Sequence, residues 1–393
     1  MNPANKGRRS FWAAAQFFLI ERRATKNVCK TITRAATKKV SKTITAAATK
    51  TACKTITVAA ACALFFASCG MRTLPPQTEY TFGTVCSINL YQSGTADLYS
   101  KLFARLRELN DIFNNYSDSS EITRVNQRAA AEPVAVSQDF YIVLKIALDF
   151  ARLTDGAFDP TVGPLVRLWG FGKEPRVPSQ EEIEAAKKFV GWQNVILDTD
   201  QKVAAAQTVR FAKAGIRLDL GAIAKGYAAD CLVDILRQQG VKRASISLGG
   251  NVYVYGKKPG GSLWSVAIRD PNRPGQNSFL LKTQNATVVT SGAYERFFEQ
   301  DGKIYGHIFD PATGFPAQSG LASVTIVSQT SMIADALSTS LFVLGMQKIP
   351  AIRQSPLAGA FECVVVDERG KTWASKGLKG RLTPLAGQAV EWF

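Results

Sequence analysis

Residues 216–234 read Ile-Arg-Leu-Asp-Leu-Gly-Ala-Ile-Ala-Lys-Gly-Tyr-Ala-Ala-Asp-Cys-Leu-Val-Asp, and the rest of the chain is best interpreted around them. The pattern predicts a short apolar strand ending at Asp219, a tight turn at Gly221 and then a helix. A helix start attracts anions because its backbone N–H groups are free, and Lys225 adds a positive charge in the first turn. The turn is therefore a candidate phosphate site, although an ordinary strand–helix turn with a solvated lysine has the same features.

The net charge of this 393-residue chain is +17, and most of it lies near the N-terminus. Residues 1–60 contain 13 Lys and Arg against one acidic residue, Glu21, whereas the remainder has 35 basic and 30 acidic residues. The body is thus an ordinary mixed-charge domain without a basic stripe for a phosphate backbone. We expect no nucleic-acid partner.

Residues 1–69 are predicted to be a basic low-complexity leader and a lipoprotein signal peptide. Three copies of a twelve-residue unit containing Lys-Thr-Ile-Thr lead into the apolar run 58–67, which is too short to span a bilayer. Residues 66–69, Phe-Ala-Ser-Cys, then resemble the lipobox at which bacterial lipoproteins are acylated on cysteine. We expect an inner-membrane lipoprotein facing the periplasm, with a tether over 70–80 and a folded domain over 81–393. A cytosolic protein with an N-terminal tail is the alternative.

Hydrophobic periodicity predicts an α+β body with mixed sheets and packed helices. Two segments, 114–126 and 157–172, are predicted to be loops because they are rich in polar residues or in Gly, Pro and aromatics. Ser137 and Ser331 are predicted N-caps of the helices that follow them. The predicted helices are 96–113, 138–153 and 331–344, and the predicted strands are 84–90, 244–248, 252–255, 264–268, 287–290 and 323–328.

Two further groups of polar residues are candidates for chemistry. Asp335 and Thr339 are four residues apart on a predicted helix and share one face, so their oxygens can bind a hard cation such as magnesium with water, a carbonyl and phosphate. His307, the only histidine, lies among Asp310, Thr313 and two glycines, which favours a functional role. Taken alone, the first pair is also consistent with a polar stripe, and the histidine with a structural role.

Together these segments resemble the ApbE family of FAD:protein FMN transferases, over residues 79–345. The resemblance implies an ApbE-like α+β fold with a flavin cleft between two halves of one body. The segments that carry it, in family order, are 82–84, 116–126, 155–172, 218–230, 248–250, 290–292, 307–316 and 334–339.

The resemblance also implies which residues bind FAD and magnesium. The implied metal ligands are the Ala222 carbonyl oxygen and the side chains of Asp335 and Thr339. The implied flavin and nucleotide contacts are Phe82, Tyr116, Ala157, Phe158, Asp159, Asp219, Lys225 and Ile308.

The implied reaction is magnesium-dependent transfer of FMN from FAD to a threonine of a partner protein, with release of AMP. A hydroxyl attacks the FMN-side phosphorus, Lys225 assists the charge that develops, and His307 or Asp310 accepts the proton. The implied acceptors are flavoprotein subunits of sodium-pumping or Rnf-type redox complexes. Two alternatives stay open: an FAD pyrophosphatase, and a flavin-binding lipoprotein without turnover, against which the pair Asp335 and Thr339 argues.

Overall fold

The computed structural model describes residues 74–171, 173–200, 206–385 and 387–393. The predicted leader and signal peptide, residues 1–69, lie outside the described residues. Within the described ranges, no helix is long and apolar enough to cross a membrane.

The strands build one large sheet and three small sheets. The strands are β1 Gln77–Thr81, β2 Thr84–Asn89, β3 Val134–Ala135, β4 Val195–Asp200, β5 Ala206–Phe211, β6 Ala244–Leu248, β7 Asn251–Tyr255, β8 Trp264–Arg269, β9 Asn277–Thr283, β10 Ala286–Gly292, β11 Phe297–Gln300, β12 Lys303–Gly306, β13 Leu321–Ser328, β14 Phe361–Asp367, β15 Thr372–Ala374, β16 Leu382–Pro384 and β17 Glu391–Trp392. The large sheet has the order β1-β2-β6-β7-β10-β13-β14-β15-β17, and the small sheets are β11-β12, β16-β9-β8 and β3-β5-β4. All neighbours in the large sheet are antiparallel except β15 and β17, which are parallel.

Helices pack on one face of the large sheet, and the sheet β16-β9-β8 packs on part of the other. Because successive strand residues point to opposite faces, neighbouring residues of β13 belong to different cores. Ile326 lies in the core shared with the helices, whereas Val327 lies in the core shared with β8 and β9. The α-helices are α1 Ala96–Phe113, α2 Glu121–Arg128, α3 Gln138–Leu153, α4 Gly163–Leu168, α5 Gln180–Lys187, α6 Ala224–Gln238, α7 Ser331–Leu344 and α8 Ile349–Arg353.

Helices α6 and α7 meet at very close range at the N-terminus of α7. A Cβ atom on Gly226 would lie 2.3 Å from the carbonyl oxygen of Ser331, so only glycine permits this approach. The carboxylate of Asp230 accepts the backbone N–H groups of Ser331 and Met332, both at 2.8 Å. These contacts fix the first turn of α7 against α6.

The prediction that Ser331 caps α7 is wrong. Thr330 occupies the cap position without a side-chain cap bond, and Ser331 is the first helical residue. The Ser331 hydroxyl instead lies 2.9 Å from the side-chain oxygen of Asn251, to which it donates. The capping function comes from Asp230, and a capping rule that considers only neighbouring residues cannot predict it because Asp230 is distant in sequence.

The predicted strand at 216–219 is also wrong, because the segment is extended but pairs with no strand. Asn126 takes the place of a neighbouring strand: its side-chain oxygen accepts Leu218 N–H at 2.6 Å and its NH₂ group donates to Leu218 O at 3.0 Å. The N–H of Asp219 donates to Pro160 O at 2.7 Å. A side-chain amide can thus satisfy an extended backbone without a sheet.

Helix predictions from long periodic segments are confirmed, whereas two predicted loops contain short helices. Helix α2 begins inside 114–126, with Ser120 accepting Thr123 N–H, and α4 lies inside 157–172 with a proline in its first turn. The predicted tether over 70–80 also needs correction, since its last residues belong to β1. The predicted helices 96–113 and 138–153, the latter capped by Ser137, match α1 and α3.

Candidate active site

An open cleft of about 1030 Å³ lies where α2, α4 and the segment before α6 meet. Tyr116 and Asp219 line it, and Tyr116 is 59% exposed. The Tyr116 hydroxyl donates to Phe171 O at 3.2 Å, which orients the ring across the cleft. Thr123 also lines the cleft, and its buried hydroxyl has no hydrogen-bond partner within the described part of the chain. A ligand could supply that partner, because buried polar groups are normally hydrogen-bonded.

The turn that precedes α6 is held by its own polar side chains. The carboxylate of Asp219 accepts Gly221 N–H at 2.8 Å, and Lys225 Nζ donates to Gly221 O at 3.0 Å. Both contacts keep the turn tight and hold the lysine charge at the start of the helix. The N–H groups of Ile223 and Ala224 donate to Leu220 O at 3.1 and 2.9 Å, so phosphate binding at this helix start would depend chiefly on Lys225 and stays a prediction.

Asp335 of α7 reaches into the first turn of α6. Its Oδ2 atom accepts the N–H of Gly226 at 2.8 Å. Gly226 is the third residue of α6, so its N–H has no partner within the helix and Asp335 supplies one. Burial raises the pKa of Asp335, and the positive charge of Lys225 acts in the opposite direction.

Thr339 lies one helical turn after Asp335 and belongs to a row of hydroxyl groups. The side-chain oxygen of Ser291, on β10, lies 3.2 Å from that of Thr339 and 2.8 Å from that of Ser338. Ser338 also donates to the backbone oxygen of Asp335 at 2.9 Å. The row positions the Thr339 hydroxyl beside the carboxylate.

The oxygen atoms at this junction suit a hard divalent cation. The second carboxylate oxygen of Asp335, the Thr339 hydroxyl and the Ala222 carbonyl oxygen are hard donors of the kind that magnesium prefers. Within the described ranges, no three His, Cys, Asp or Glu side chains cluster as a metal site. A cation here would therefore depend on one carboxylate, neutral oxygens and the phosphates of its ligand, which fits the three residues that the sequence predicts.

His307 is held in one tautomer by the backbone of Arg296. The carbonyl oxygen of Arg296 lies 3.1 Å from His307 Nδ1 and also accepts the His307 backbone N–H at 3.1 Å. Because a carbonyl oxygen only accepts, Nδ1 carries the proton and Nε2 has a free lone pair. Burial lowers the pKa of His307 to about 4; the hydrogen bond to Arg296 O acts in the opposite direction, and the positive charges of Arg296 and Lys225 add to the lowering. The ring is therefore a neutral potential base at pH 7.

Phe82 begins a strained turn between β1 and β2. Phe82 and Gly83 both have positive φ, 54° and 64°, as a two-residue type I′ turn requires. This conformation is unfavourable for phenylalanine. The N–H of Phe82 donates to the side-chain oxygen of Asn110 at 3.1 Å, and Arg296 Nη2 donates to Gly83 O at 3.1 Å. The surrounding residues thus hold a phenylalanine ring in a position that its own backbone disfavours.

Comparison with known protein families identifies the family of this chain. The sequence profile described as the ApbE family matches residues 82–364. The chain belongs to the ApbE family. An ApbE relative from Treponema pallidum, named FAD:protein FMN transferase, is 37% identical over 341 residues, which span 82% of this chain and 93% of that protein.

Solved ApbE structures share the fold. The ApbE protein of Thermotoga maritima matches with a TM-score of 0.69 at 35% identity, over 78% of this chain and 98% of that one. The flavin transferase ApbE from Vibrio cholerae matches with a TM-score of 0.68 at 32% identity and the same coverage. The predicted ApbE-like α+β fold is confirmed.

Within this ApbE fold, three of the predicted site residues lie near a fourth, Lys225. The lysine charge lowers the pKa of Asp219 and Asp335 against the larger, raising effect of their burial, and it adds to the lowering at His307. Such effects require proximity, since charge–charge interactions weaken with distance. Asp219, Asp335 and His307 therefore lie within the electrostatic reach of one lysine.

Four predicted residues make structural contacts instead. The carboxylate of Asp159 accepts the backbone and hydroxyl groups of Thr161 at 2.7 and 2.6 Å, and the N–H of Trp192 at 3.1 Å. Phe158 is buried beside the ring of Phe150, Ala157 is half-buried in the same loop, and Ile308 belongs to the main core. Asp159 thus holds its own loop, and a direct nucleotide contact by these four residues stays a prediction.

Asp310 is also engaged locally. Its Oδ1 atom accepts Ala312 N–H at 2.9 Å, and its backbone closes the turn with Gly314 and Phe315. No contact within the described ranges joins the Asp310 carboxylate to His307 or Lys225. The geometry favours His307 over Asp310 as the base.

Four residues of this region were not predicted from the sequence. They are Arg296, which contacts Gly83 and His307; Thr123, which lines the cleft; Ser291, which neighbours Thr339; and Asp230, which caps α7. Arg296 lies between a recognised segment and the strand β11, and no spacing rule connects it to His307 or Gly83. The only available signal was the presence of a charged residue close to Thr290-Ser291-Gly292.

Proposed function

We propose that this chain transfers FMN from FAD to an acceptor protein and releases AMP. Relatives from several bacteria bear the name FAD:protein FMN transferase, and this chain covers at least nine-tenths of two of them. The observation that carries the proposal is the bond from Gly226 N–H to Asp335. That bond brings the carboxylate of α7 to the first turn of α6, where Lys225 also lies.

Magnesium would be held by Ala222 O, Asp335 and Thr339. When bound, it would neutralise charge on the pyrophosphate of FAD. Lys225 acts on the same phosphates from the protein side, since it presents a full positive charge at the turn. Tyr116, exposed in the cleft, offers a ring face on which the flavin can stack, worth roughly 1 kcal/mol beyond its burial.

The transfer step exchanges one oxygen–phosphorus bond for another. A threonine hydroxyl of the acceptor attacks the FMN-side phosphorus, the bond to the bridging oxygen breaks, and AMP leaves with that oxygen. His307 accepts the hydroxyl proton at Nε2, which is free because Nδ1 donates to Arg296 O. The acceptor gains FMN in phosphoester linkage.

We propose threonine-bearing flavoprotein subunits of sodium-pumping or Rnf-type redox complexes as the acceptors. We also propose that the chain is lipid-anchored to the inner membrane on its periplasmic side.

The test is a mass balance between transfer and hydrolysis. The chain is mixed with FAD, magnesium and an acceptor domain, and AMP, free FMN and the acceptor mass are followed together. A transferase releases AMP in step with an FMN-sized mass gain, and changing the acceptor threonine to valine abolishes that gain. Equal release of free FMN and AMP with an unmodified acceptor would instead establish the FAD pyrophosphatase, and binding of FAD without AMP release would establish the flavin-binding protein.

A variant pair tests the metal residues in the same assay. Asp335→Ala removes the only carboxylate of the proposed magnesium site, so we expect AMP release to fall by at least about 100-fold. Thr339→Val removes one neutral oxygen and keeps the volume, so its loss should be smaller. Asp234→Ala is the control, since Asp234 is an exposed residue of α6 that pairs with Arg237. Activity of Asp335→Ala within a few-fold of the control would remove Asp335 from the site.

A further inference from the structure

Arg296 connects two parts of the candidate site that are far apart in sequence. Its guanidinium donates through Nη2 to Gly83 O at 3.1 Å, and its carbonyl oxygen accepts both His307 contacts at 3.1 Å. Gly83 precedes Arg296 by 213 positions and His307 follows it by 11. One residue therefore contacts the strained turn with its side chain and the histidine with its backbone.

The contact to the turn is suited to holding a strained backbone. Phe82 has a φ of 54°, which phenylalanine adopts only when its surroundings enforce it. A Cβ atom at Gly83 would lie 3.6 Å from Arg296 Nη2, so the guanidinium sits directly on the turn. Arg296 and Asn110 hold the turn from two sides.

The charge of Arg296 also acts on three candidate site residues. It favours the ionised form of Asp219 and of the Tyr116 hydroxyl, and it disfavours protonation of His307. Lys225 is the other cation that acts on His307. Since the guanidinium stays charged at all relevant pH values, it supplies a constant field at the histidine.

We propose that Arg296 is a positioning residue of the transfer reaction: its guanidinium holds the Phe82–Gly83 turn and places a positive charge near His307, and its carbonyl oxygen holds the His307 ring with Nε2 free. The inference rests on the proposed function for its catalytic meaning. Its structural content, the coupling of Arg296 to His307, can be measured without any turnover.

The single histidine makes the direct test possible. In the full chain, prepared without a histidine tag and with ¹⁵N-labelled histidine, the imidazole signals report the tautomer and pKa of His307 alone. We expect the wild-type ring to titrate near pH 4. Arg296→Met should raise that pKa measurably, because a nearby positive charge is lost while the carbonyl hydrogen bond to the ring is kept. Arg296→Lys keeps the charge and should leave the pKa close to that of the wild type.

Kinetics supply the second measurement, and a neighbouring arginine supplies the control. Arg296→Met removes the hydrogen bond to Gly83 O and so loosens the Phe82–Gly83 turn. We expect the KM for FAD to rise about 3- to 10-fold, which corresponds to the free energy of one hydrogen bond. It should also move the acidic limb of kcat/KM to higher pH. Arg269→Met is the control, because Arg269 is exposed and pairs with Glu295, next to Arg296 in the chain.

The outcomes separate the inference from the function. A raised His307 pKa in Arg296→Met, absent in Arg296→Lys and Arg269→Met, supports the inference even if the chain transfers no flavin. An unchanged His307 pKa in Arg296→Met, or an equal rise in the Arg269→Met control, overturns it. If Arg296→Met fails to fold, Arg296→Gln removes the charge, retains a donor for Gly83 O and carries the same test.

Discussion

At the scale of single residues, His307 shows how far local sequence could lead. Its position among Asp310, Thr313 and glycines favoured a functional site, and the resemblance left two candidate bases. The structure adds what neighbours in sequence cannot supply, which is the Arg296 carbonyl oxygen that determines the tautomer. Asp310 was equally plausible from the sequence, but the contact that its carboxylate makes in the structure is local, from Ala312 N–H to Oδ1.

These two residues give a prediction about pH. Because the pKa of His307 is lowered to about 4, the base is unprotonated from that pH upward, and kcat/KM should fall as pH decreases through it. His307→Gln should reduce AMP release roughly 100- to 10,000-fold and abolish this acidic limb. Asp310→Asn is the matched comparison and should stay within a few-fold of wild type. A greater loss in Asp310→Asn than in His307→Gln, measured as AMP release against pH, would exchange their roles.

At the scale of elements, the sequence predicts what depends on a long periodic pattern and fails where a distant side chain replaces backbone pairing. Helix α1 has the predicted bounds because Leu102, Leu106 and Leu109 keep helical spacing over 18 residues. The extended segment at 216–219 was mistaken for a strand because Asn126, far away in sequence, supplies its hydrogen bonds. The four-residue spacing of Asp335 and Thr339 places them on one face of α7, and their role as metal ligands, which the family resemblance implies, stays a prediction. The close approach of α6 to α7 could not be predicted from the sequence.

The close approach of α6 to α7 predicts that Gly226→Ala destabilises the protein, although alanine has the higher helix propensity. In an exposed helix, Gly→Ala stabilises by about 1 kcal/mol. At Gly226 the added Cβ would lie 2.3 Å from Ser331 O and 2.7 Å from Met332 Cα, and backbone atoms cannot rotate away. Gly226→Ala should therefore lower the free energy of unfolding by roughly 1–3 kcal/mol in urea denaturation. It should also weaken magnesium-dependent AMP release, since α7 carries Asp335. A stabilised variant would show that the two helices can separate without cost.

At the scale of the whole molecule, the sequence alone shows that most of the net positive charge and the candidate site residues lie in different parts of the chain. The excess of positive charge belongs to residues 1–60, and the residues around the cleft belong to the body. The order of the strands in the large sheet was harder to predict from the sequence. Strands that are distant in sequence, such as β2 and β6, pair in that sheet, and no local pattern specifies which strands pair or in which register. Family resemblance supplied that global order, and the match over residues 82–364 agrees with it.

The last prediction concerns how the body is attached to the membrane. If residues 66–69 form a lipobox, Cys69→Ala removes the acylated residue, and with it the apolar chains that would contribute about 0.8 kcal/mol for each buried CH₂ group. We expect incorporation of labelled fatty acid to be lost, the precursor to stay uncleaved, and FAD turnover by a chain beginning at residue 73 to persist, because β1 is then intact. Cys62→Ala is the control, since this cysteine lies in the same apolar run and should leave acylation unchanged. Labelling that continues in Cys69→Ala, or is lost equally in Cys62→Ala, would mean that residues 66–69 are not the site of attachment and that the body reaches the membrane by another route or not at all.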